Sequence, residues 1–224
     1  MRPELLETAR SLLEDRYRCG GDVAQAVAGR AHYRDYQPRA TIIAQGERHE
    51  EVYLTVAGHA RAEALAITGR MAVLEDFFAG DFFGEGGLIE AERSEEEVRA
   101  VERVDAAVFA NPAFVALLSN YADFSLAFSR MLVARLARAS RRLAEGATLS
   151  ATGRIHAELL RQARAGGGMA IEPVPVLSVL ALTVQSTRET VSRTLNDLVK
   201  RGIVRREPHR LVVVAPHRLE ELIC

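Results

Sequence analysis

The sequence predicts an α+β protein in which a jelly-roll-like β domain, a long central helix and a C-terminal helix-turn-helix with a β-hairpin follow one another. Three observations lead to this fold class. Short β-prone runs alternate with turn signals between Tyr33 and Phe109, residues 121–145 lack Pro and Gly, and residues 177–200 read as two short helices joined by a turn. We therefore expect segments with the boundaries 1–119, 120–148 and 149–224.

The predicted β domain contains strand-like runs at roughly ten-residue spacing, which is the pattern of a jelly roll or barrel. The runs are residues 40–43, 52–56, 59–65, 71–78, 97–101 and 106–109. Two predicted helices precede them, at residues 3–16 and 22–31, and Gly20-Gly21 separates these helices.

The central helix carries a narrow apolar seam. A helix is predicted to open at Asn111-Pro112, and the long helix follows and ends at Gly146. Apolar residues repeat along it at the four–three–four spacing of a coiled coil: Leu132, Leu136, Ala139 and Leu143. A seam of this kind indicates a partner helix, so we expect a homodimer. Ser150 is a suitable N-cap for the next helix, predicted over 152–165.

Charge is distributed unevenly along the 224 residues, although the formal net charge is only −1. Between Val176 and Arg218 eight basic residues face three acidic ones, which leaves a net charge of +5. Between Glu85 and Glu97 six glutamates accompany one arginine. A basic terminal segment is what neutralisation of phosphate groups requires, so double-stranded DNA is a candidate partner of the C-terminal segment.

Composition and motifs also argue against several classes of protein and kinds of site. Cys19 and Cys224 lie at opposite ends, which excludes a disulfide framework and a four-thiolate iron–sulfur cluster within one chain. No apolar run approaches the about 18 residues of a membrane span, and the N-terminus lacks a signal-peptide core, so we expect a cytoplasmic protein. Without a nucleophile–base pair, an HExxH or a GxxxxGK motif, we expect no enzymatic activity, no catalytic residue and no metal site.

The second helix of the C-terminal motif, which begins near Ser186 or Thr187, has two contrasting faces. The apolar face, expected to be buried, consists of Val191, Leu195, Leu198 and Val199. The opposite face consists of Arg188, Glu189, Ser192, Arg193 and Asn196. Arg can donate two hydrogen bonds to guanine and Glu can accept one from cytosine, and these residues occupy the turns of a recognition helix that meet base edges. In the hairpin that follows, we expect Arg205, Arg206 and Arg210 to contact phosphates.

Several segments together resemble the CRP/FNR family of bacterial transcription regulators, over nearly the whole chain. STRETVSRTLNDLVKRGIV (186–204) resembles the family's recognition segment, GDFFGEGGLIE (80–90) its phosphate-binding cassette, and SATGRIHAELL (150–160) the start of its DNA-binding domain. The long helix resembles the family's dimerisation helix. The resemblance implies a double-stranded β-helix of the cyclic-nucleotide-binding type, a winged helix-turn-helix, a homodimer on an inverted repeat, and RNA polymerase as a partner.

The resemblance also implies which residues read DNA. The family's motif falls on Arg188, Glu189, Ser192 and Arg193, which implies a half-site that contains TGA. Two positions depart from the family. Gln185 stands where the family has a turn glycine, which costs ~1 kcal/mol if its φ is positive. Val176 replaces the usual Thr cap, which removes an expected phosphate contact.

The effector that the resemblance implies is cAMP or another cyclic nucleotide. The matching positions are Gly84 and Glu85 at the ribose, Arg93 and Ser94 at the phosphate, and Ser140 on the long helix beside a non-matching Ala139. An ungapped alignment, however, puts Ser94 at the phosphate arginine and Glu95 at the hydroxyl. Residues 95–97 are all Glu, and one like-charge pair at 4 Å is worth about 4 kcal/mol at an effective dielectric of about 20. A haem sensor would have to use His32, His49 or His59.

Three functional hypotheses therefore remain open. The first is a dimeric DNA-binding regulator that a small molecule switches, by shifting the population between two dimer geometries. The second is an effector-independent regulator with a degenerate nucleotide site. The third is a ligand-sensing protein-interaction module, and the apolar helix at 177–182 is its support.

Overall fold

A computed structural model describes residues 3–65, 69, 71–88 and 93–223. Ile89 and Glu90 of the cassette segment, Glu92 and Cys224 figure in the sequence analysis but lie outside the described residues. The chain divides into two compact units, residues 1–135 and 136–224. Within the described part of the chain, no helix combines the length and the apolar character that a bilayer crossing requires.

The N-terminal unit contains the strands of the roll and the helices that pack on it. The helices are α1 (Pro3–Tyr17), α2 (Gly21–Ala28), α3 (Asn111–Asn120) and the beginning of α4 (Ala122–Thr148). The strands are β1 (His32–Tyr36), β2 (Thr41–Ile43), β3 (Glu51–Ala57), β4 (Ala60–Leu65), β5 (Met71–Phe77), β6 (Phe82–Phe83), β7 (Glu97–Ala100) and β8 (Val104–Ala110). A short 3-10 helix spans Glu85–Leu88.

Two antiparallel sheets form the roll. Their strand orders are β1-β8-β3-β6 and β2-β7-β4-β5. Side chains from both sheets meet in one core, in which Tyr53 and Phe83 stack at a centroid distance of 4.9 Å. The predicted jelly-roll-like fold class is therefore confirmed. The sequence pattern did not predict β1, in which polar and aromatic residues do not alternate regularly, or β6, which has only two residues.

A second core lies on the other face of the first sheet, where α1, α2, α3 and the first turns of α4 cover it. Phe82 is at its centre, with edge-on contacts to Phe114 at 5.6 Å and Phe128 at 5.5 Å between ring centroids. Phe124 and Phe109 complete this aromatic cluster, and all of these rings are buried. Aromatic pairs in edge-on geometry add about 0.5–1.5 kcal/mol each beyond area burial, so this cluster anchors the start of α4 to the roll.

The long helix differs from its prediction in two respects. α4 continues past Gly146 to Thr148, because one glycine in a helix costs only about 1 kcal/mol and is tolerated. Leu132 is partly buried against the aromatic core, and Val133 is 67% exposed instead. The exposed apolar stripe of α4 therefore contains Val133 where the predicted seam has Leu132.

The C-terminal unit is a helix-turn-helix packed on a small sheet. Its elements are α5 (Ala151–Ala165), β9 (Ala170–Ile171), α6 (Leu177–Thr183), α7 (Arg188–Lys200), β10 (Val204–Arg206), β11 (Leu211–Val213) and α8 (Pro216–Glu221). The strand order of the sheet is β10-β11-β9. The predicted cap of α5 is confirmed, because Ser150 accepts a hydrogen bond from the Gly153 amide at 3.0 Å. The sequence analysis did not predict β9 and α8, which are both very short.

The turn between α6 and α7 places Gln185 at a φ of 51°, in the left-handed region. The Ser186 amide donates to the Ala181 carbonyl at 2.8 Å and closes this turn. A residue with a Cβ is strained at this φ. The cost of ~1 kcal/mol that we expect for Gln185 in place of a glycine therefore applies.

We predict that Gln185→Gly raises the free energy of unfolding by about 1 kcal/mol, because glycine adopts the left-handed conformation without a Cβ clash. Chemical denaturation of the purified protein measures this change. Gln185→Ala is the matched control, since alanine retains the Cβ and should give no gain. Equal stability of the two variants would show that the backbone at this turn is not strained.

Candidate nucleic-acid interface and sensor site

The recognition helix α7 begins at a capped end. Thr187 is the N-cap, and its Oγ1 accepts a hydrogen bond from the Thr190 amide at 3.1 Å. Glu189 in the first turn is favourable because the N-terminus of a helix carries partial positive charge. The helix starts within one residue of the position that the sequence analysis named.

The exposed face of α7 contains the polar residues that were predicted for it. Arg188, Glu189 and Arg193 are exposed and Ser192 is half-buried, all within the first two turns. The buried face differs in one residue from the prediction. Thr194 is buried, whereas Val199 is 37% exposed, because the buried stripe follows residues 191, 194, 195 and 198 at true helical spacing.

Arg154 on α5 holds the turn that precedes α7, a contact that the sequence analysis missed. Its guanidinium donates to the carbonyls of Val184 at 2.9 Å, Gln185 at 3.1 Å and Leu149 at 3.0 Å. These bonds fix the entry of α7 relative to α5. The GRIH segment that contains Arg154 was noticed as a family feature, but no local pattern indicates which carbonyls an arginine will bind.

The hairpin β10–β11 has the position and form of the predicted wing. Two of its arginines are paired, since Glu207 accepts from Arg205 Nε at 3.1 Å and from Arg210 Nε at 2.7 Å. These two arginines hold the pKa of Glu207 below its usual value, with Arg210 contributing most. The wing therefore presents less positive charge than its arginine count suggests.

The cassette of the roll begins with Gly84 and Glu85, where the sequence analysis placed its ribose contacts. Gly84 has a φ of 80°, and a Cβ at this residue would lie 2.9 Å from the Tyr53 ring, so the position requires glycine. Glu85 starts the 3-10 helix, and its Oε1 accepts a hydrogen bond from Arg135 Nη1. The two predicted residues are thus adjacent at the end of β6.

Arg135 of α4 is a central cation of this region that the sequence analysis missed. Its Nη2 donates to the Phe82 carbonyl at 2.6 Å, and its Nε lies 3.0 Å from Oε2 of Glu75. The guanidinium also lies 5.3 Å from the centroid of the Phe77 ring. With a side-chain exposure of only 15%, Arg135 is held by carboxylates on β5 and on the cassette.

Arg93 and Ser94, the predicted phosphate contacts, lie in the loop before β7. The Arg93 side chain is exposed and donates to the Gly46 carbonyl at 2.8 Å. The Ser94 hydroxyl donates to the Glu96 carbonyl at 2.7 Å. Arg93 is therefore not grouped with Gly84 and Glu85 in this structure, and its role in effector binding stays a prediction.

The three consecutive glutamates that follow have different surroundings. Glu95 is exposed, and Glu97 pairs with Arg99 on β7. Glu96 lies in a bend directly before β7 and is half-buried. The pKa of Glu96 is raised to about 7, first by burial and then by the Glu85 carboxylate, while the Arg135 guanidinium opposes the rise.

The other residues that were considered for effector or haem binding either bond to groups of the protein or are exposed. Ser140 and His32 are exposed. His49 Nε2 lies 2.9 Å from the Gly84 carbonyl, and His59 Nε2 lies 2.6 Å from Oδ1 of Asp76 while its ring stacks on Phe78. Each of these two histidines thus uses one ring nitrogen within the protein.

The roll, the exposed polar face of α7 and the wing define the class of protein, a DNA-binding transcription regulator with an N-terminal sensor domain. Family models support both parts. The cyclic nucleotide-binding domain matches residues 33–121, and the Crp-like helix-turn-helix domain matches residues 153–222. The chain therefore combines a cyclic nucleotide-binding domain with a Crp-like helix-turn-helix domain, the arrangement that its resemblance to the CRP/FNR family implied.

Relatives with known roles extend over most of the chain. The cAMP-activated global transcriptional regulator Vfr of Pseudomonas aeruginosa is 28% identical over 190 residues, which is 81% of this chain and 89% of Vfr. The cAMP-activated global transcriptional regulator CRP of Salmonella typhimurium is 28% identical over 187 residues, which is 81% of this chain and 89% of CRP.

Solved structures agree in fold. A CooA variant from Carboxydothermus hydrogenoformans superposes with a TM-score of 0.77 at 22% identity, over 89% of this chain and 90% of CooA. FixK2 from Bradyrhizobium japonicum gives a TM-score of 0.72 at 22% identity, over 87% and 98% of the two chains. At this identity the likeness concerns the fold.

The raised pKa of Glu96 predicts a pH dependence of stability. Between its ordinary value of 4.5 and about 7 the folded protein binds a proton that the unfolded chain releases, so stability falls as pH rises through this window. Glu96→Gln lacks this titration. From pH 5 to pH 8 the free energy of unfolding of the wild type should fall by about 2–3 kcal/mol more than that of Glu96→Gln, since one pKa unit is about 1.4 kcal/mol.

Denaturant unfolding at both pH values measures the effect, and Glu95→Gln is the matched control because Glu95 is exposed. The same pH slope in Glu96→Gln and in the wild type would place Glu96 in a solvated environment and contradict the prediction.

Proposed function

We propose that the protein binds an inverted-repeat operator as a homodimer and reads a TGA-containing half-site with Arg188, Glu189, Ser192 and Arg193. The observation that carries this proposal is the polarity of α7. Its first two turns expose arginine and glutamate donors and acceptors, while the opposite face is buried against the unit's core. Arg pairs with guanine and Glu with cytosine in the major groove, which admits one helix.

The proposed dimer interface is the exposed apolar stripe of α4. Val133 and Leu136 are each 67% exposed and Leu143 is 76% exposed, at spacings of three and seven residues. This is the a/d pattern of a coiled coil, with Ser140 at the intervening a position. Large apolar side chains on a helix of 27 residues lose unfavourable hydration when a second copy covers them.

The proposed effector follows from the relatives, which are named as cAMP-activated. A cyclic nucleotide is therefore the first candidate to test, in a protein proposed to act in the cytoplasm with RNA polymerase as its partner. The effector-independent alternative has a specific observation in its favour. Arg93 donates to the Gly46 carbonyl, and Arg135 ties α4 to Glu85.

Replacement of Arg188 and Arg193 by Ala should weaken operator binding by at least about 100-fold, because each bidentate contact to a base is worth about 1–3 kcal/mol. Fluorescence anisotropy with a labelled inverted-repeat duplex at fixed salt measures the affinity. Arg164→Ala is the matched control, since Arg164 is an exposed arginine of the same unit that pairs with Glu220 on α8. Unchanged DNA binding by the double variant would favour the protein-interaction module instead.

Leu136→Asp should convert the dimer to a monomer, because a carboxylate at a d position would face its copy in the partner helix. Sedimentation velocity measures the mass. Val115→Asp is the control, since Val115 is an exposed apolar residue on α3 with 48% exposure. A dimer that survives Leu136→Asp would place the interface elsewhere.

A further inference from the structure

We infer that Asn196 is a further base-reading residue of α7, and that it recognises an adenine in a base pair directly beside the TGA element. This inference rests on the proposed function, because it extends the base contacts of the same helix by one position. It assigns a base preference to an operator position outside the TGA element that the other four residues read.

Asn196 continues the polar stripe of α7 into the third turn of the helix. It lies three residues after Arg193, four after Ser192 and seven after Glu189, which is the spacing of neighbours on one helix face. All four side chains line one concave surface. In homeodomains, the residues of the recognition helix that read the major groove have this same spacing. The stripe therefore has the length of a four-residue base-reading surface.

The distance along the helix axis places Asn196 about one base pair beyond Arg193. Each residue of a helix rises about 1.5 Å, so three residues span about 4.5 Å. Base pairs stack about 3.4 Å apart. When α7 lies in the major groove, we therefore expect Asn196 to face the base pair next to those that Arg193 contacts.

The carboxamide of Asn196 is available for a base edge. Asn196 is exposed, and its side chain forms no hydrogen bond or ion pair with another residue in the described part of the chain. The next residue, Asp197, lines the same surface but lies 3.5 Å from Arg201, with which it forms an ion pair. Asn196 is therefore better placed than Asp197 to contact a base.

The chemistry of a carboxamide selects adenine. The side chain of Asn offers an acceptor and donors side by side, and it pairs bidentately with N6 and N7 of adenine in the major groove. Lys200, which lies one turn further on the same surface, has donors only. A lysine at the edge of the stripe suits a phosphate, which positions the helix without reading sequence.

The experiment separates the flanking base pairs from the TGA element. Labelled duplexes contain an inverted TGA repeat with half-site centres about 10 base pairs apart, and each of the four possible base pairs is placed in turn on either side of TGA. Fluorescence anisotropy with the full-length protein, at fixed salt and with cAMP present, gives the affinities of the wild type, Asn196→Ala and Asn196→Asp. Lys200→Ala is the matched control, and thermal unfolding shows that each variant is folded.

We expect the wild type to bind the duplex with adenine at one flanking position at least about tenfold more tightly than the other three, as a bidentate contact does. Asn196→Ala should bind the four duplexes within about threefold of one another. Asn196→Asp should shift the preference from adenine to cytosine, because a carboxylate accepts from cytosine N4. Lys200→Ala should weaken binding to all duplexes by a similar factor and keep the preference for adenine.

Two results would overturn the inference. One is a wild type without a preference for adenine at either flanking position, and the other is an adenine preference that persists in Asn196→Ala. Duplexes with substitutions inside TGA are measured on the same samples. If these substitutions lower the affinity, a missing adenine preference concerns Asn196 alone. If they leave the affinity unchanged, the proposed function has failed and the inference fails with it.

Discussion

A guanidinium in the protein interior is always charged, so partners must be in place to compensate its charge, and Arg135 is in that position. It is bound by Glu85 of the cassette, by Glu75 of β5 and by the Phe82 carbonyl, with 15% of its side chain exposed. Removal of one partner from such a group costs about 3–5 kcal/mol, because the remaining charge is left uncompensated. The cassette and the middle of α4 are therefore not independent. A ligand that engages Glu85 competes with Arg135, and that competition acts on the helix that carries the proposed dimer stripe.

Local patterns explain why much of the fold could be predicted. A strand needs alternation over a few residues and a capped helix needs one suitable side chain, so most strands of the roll and the Ser150 cap were found. The failures are elements too short to show a period, such as β6 and β9 with two residues each. On α7 the pattern was right and one residue was wrong, because Thr194 is polar and yet its position on the helix is buried.

The site could be predicted only in part, for a different reason. Gly84 and Glu85 are adjacent in sequence and form a recognisable motif, whereas Arg135 reaches Glu85 across 50 residues of sequence. Arg154 similarly reaches Gln185 across 31 residues. Both are single arginines in helices with many arginines, and their roles follow from which carbonyls and carboxylates the tertiary fold brings near.

Net charge is a poor measure of the cations available to DNA, as the C-terminal unit shows. The +5 over residues 176–218 includes Arg205 and Arg210, which both pair with Glu207 at the wing. Exposed ion pairs of this kind are weak, so a DNA phosphate could displace Glu207 at small cost. In the proposed DNA complex the wing would add affinity without sequence information, as phosphate contacts do. Discrimination between operators would then depend on the exposed turns of α7, whose entry Arg154 fixes through the strained turn at Gln185.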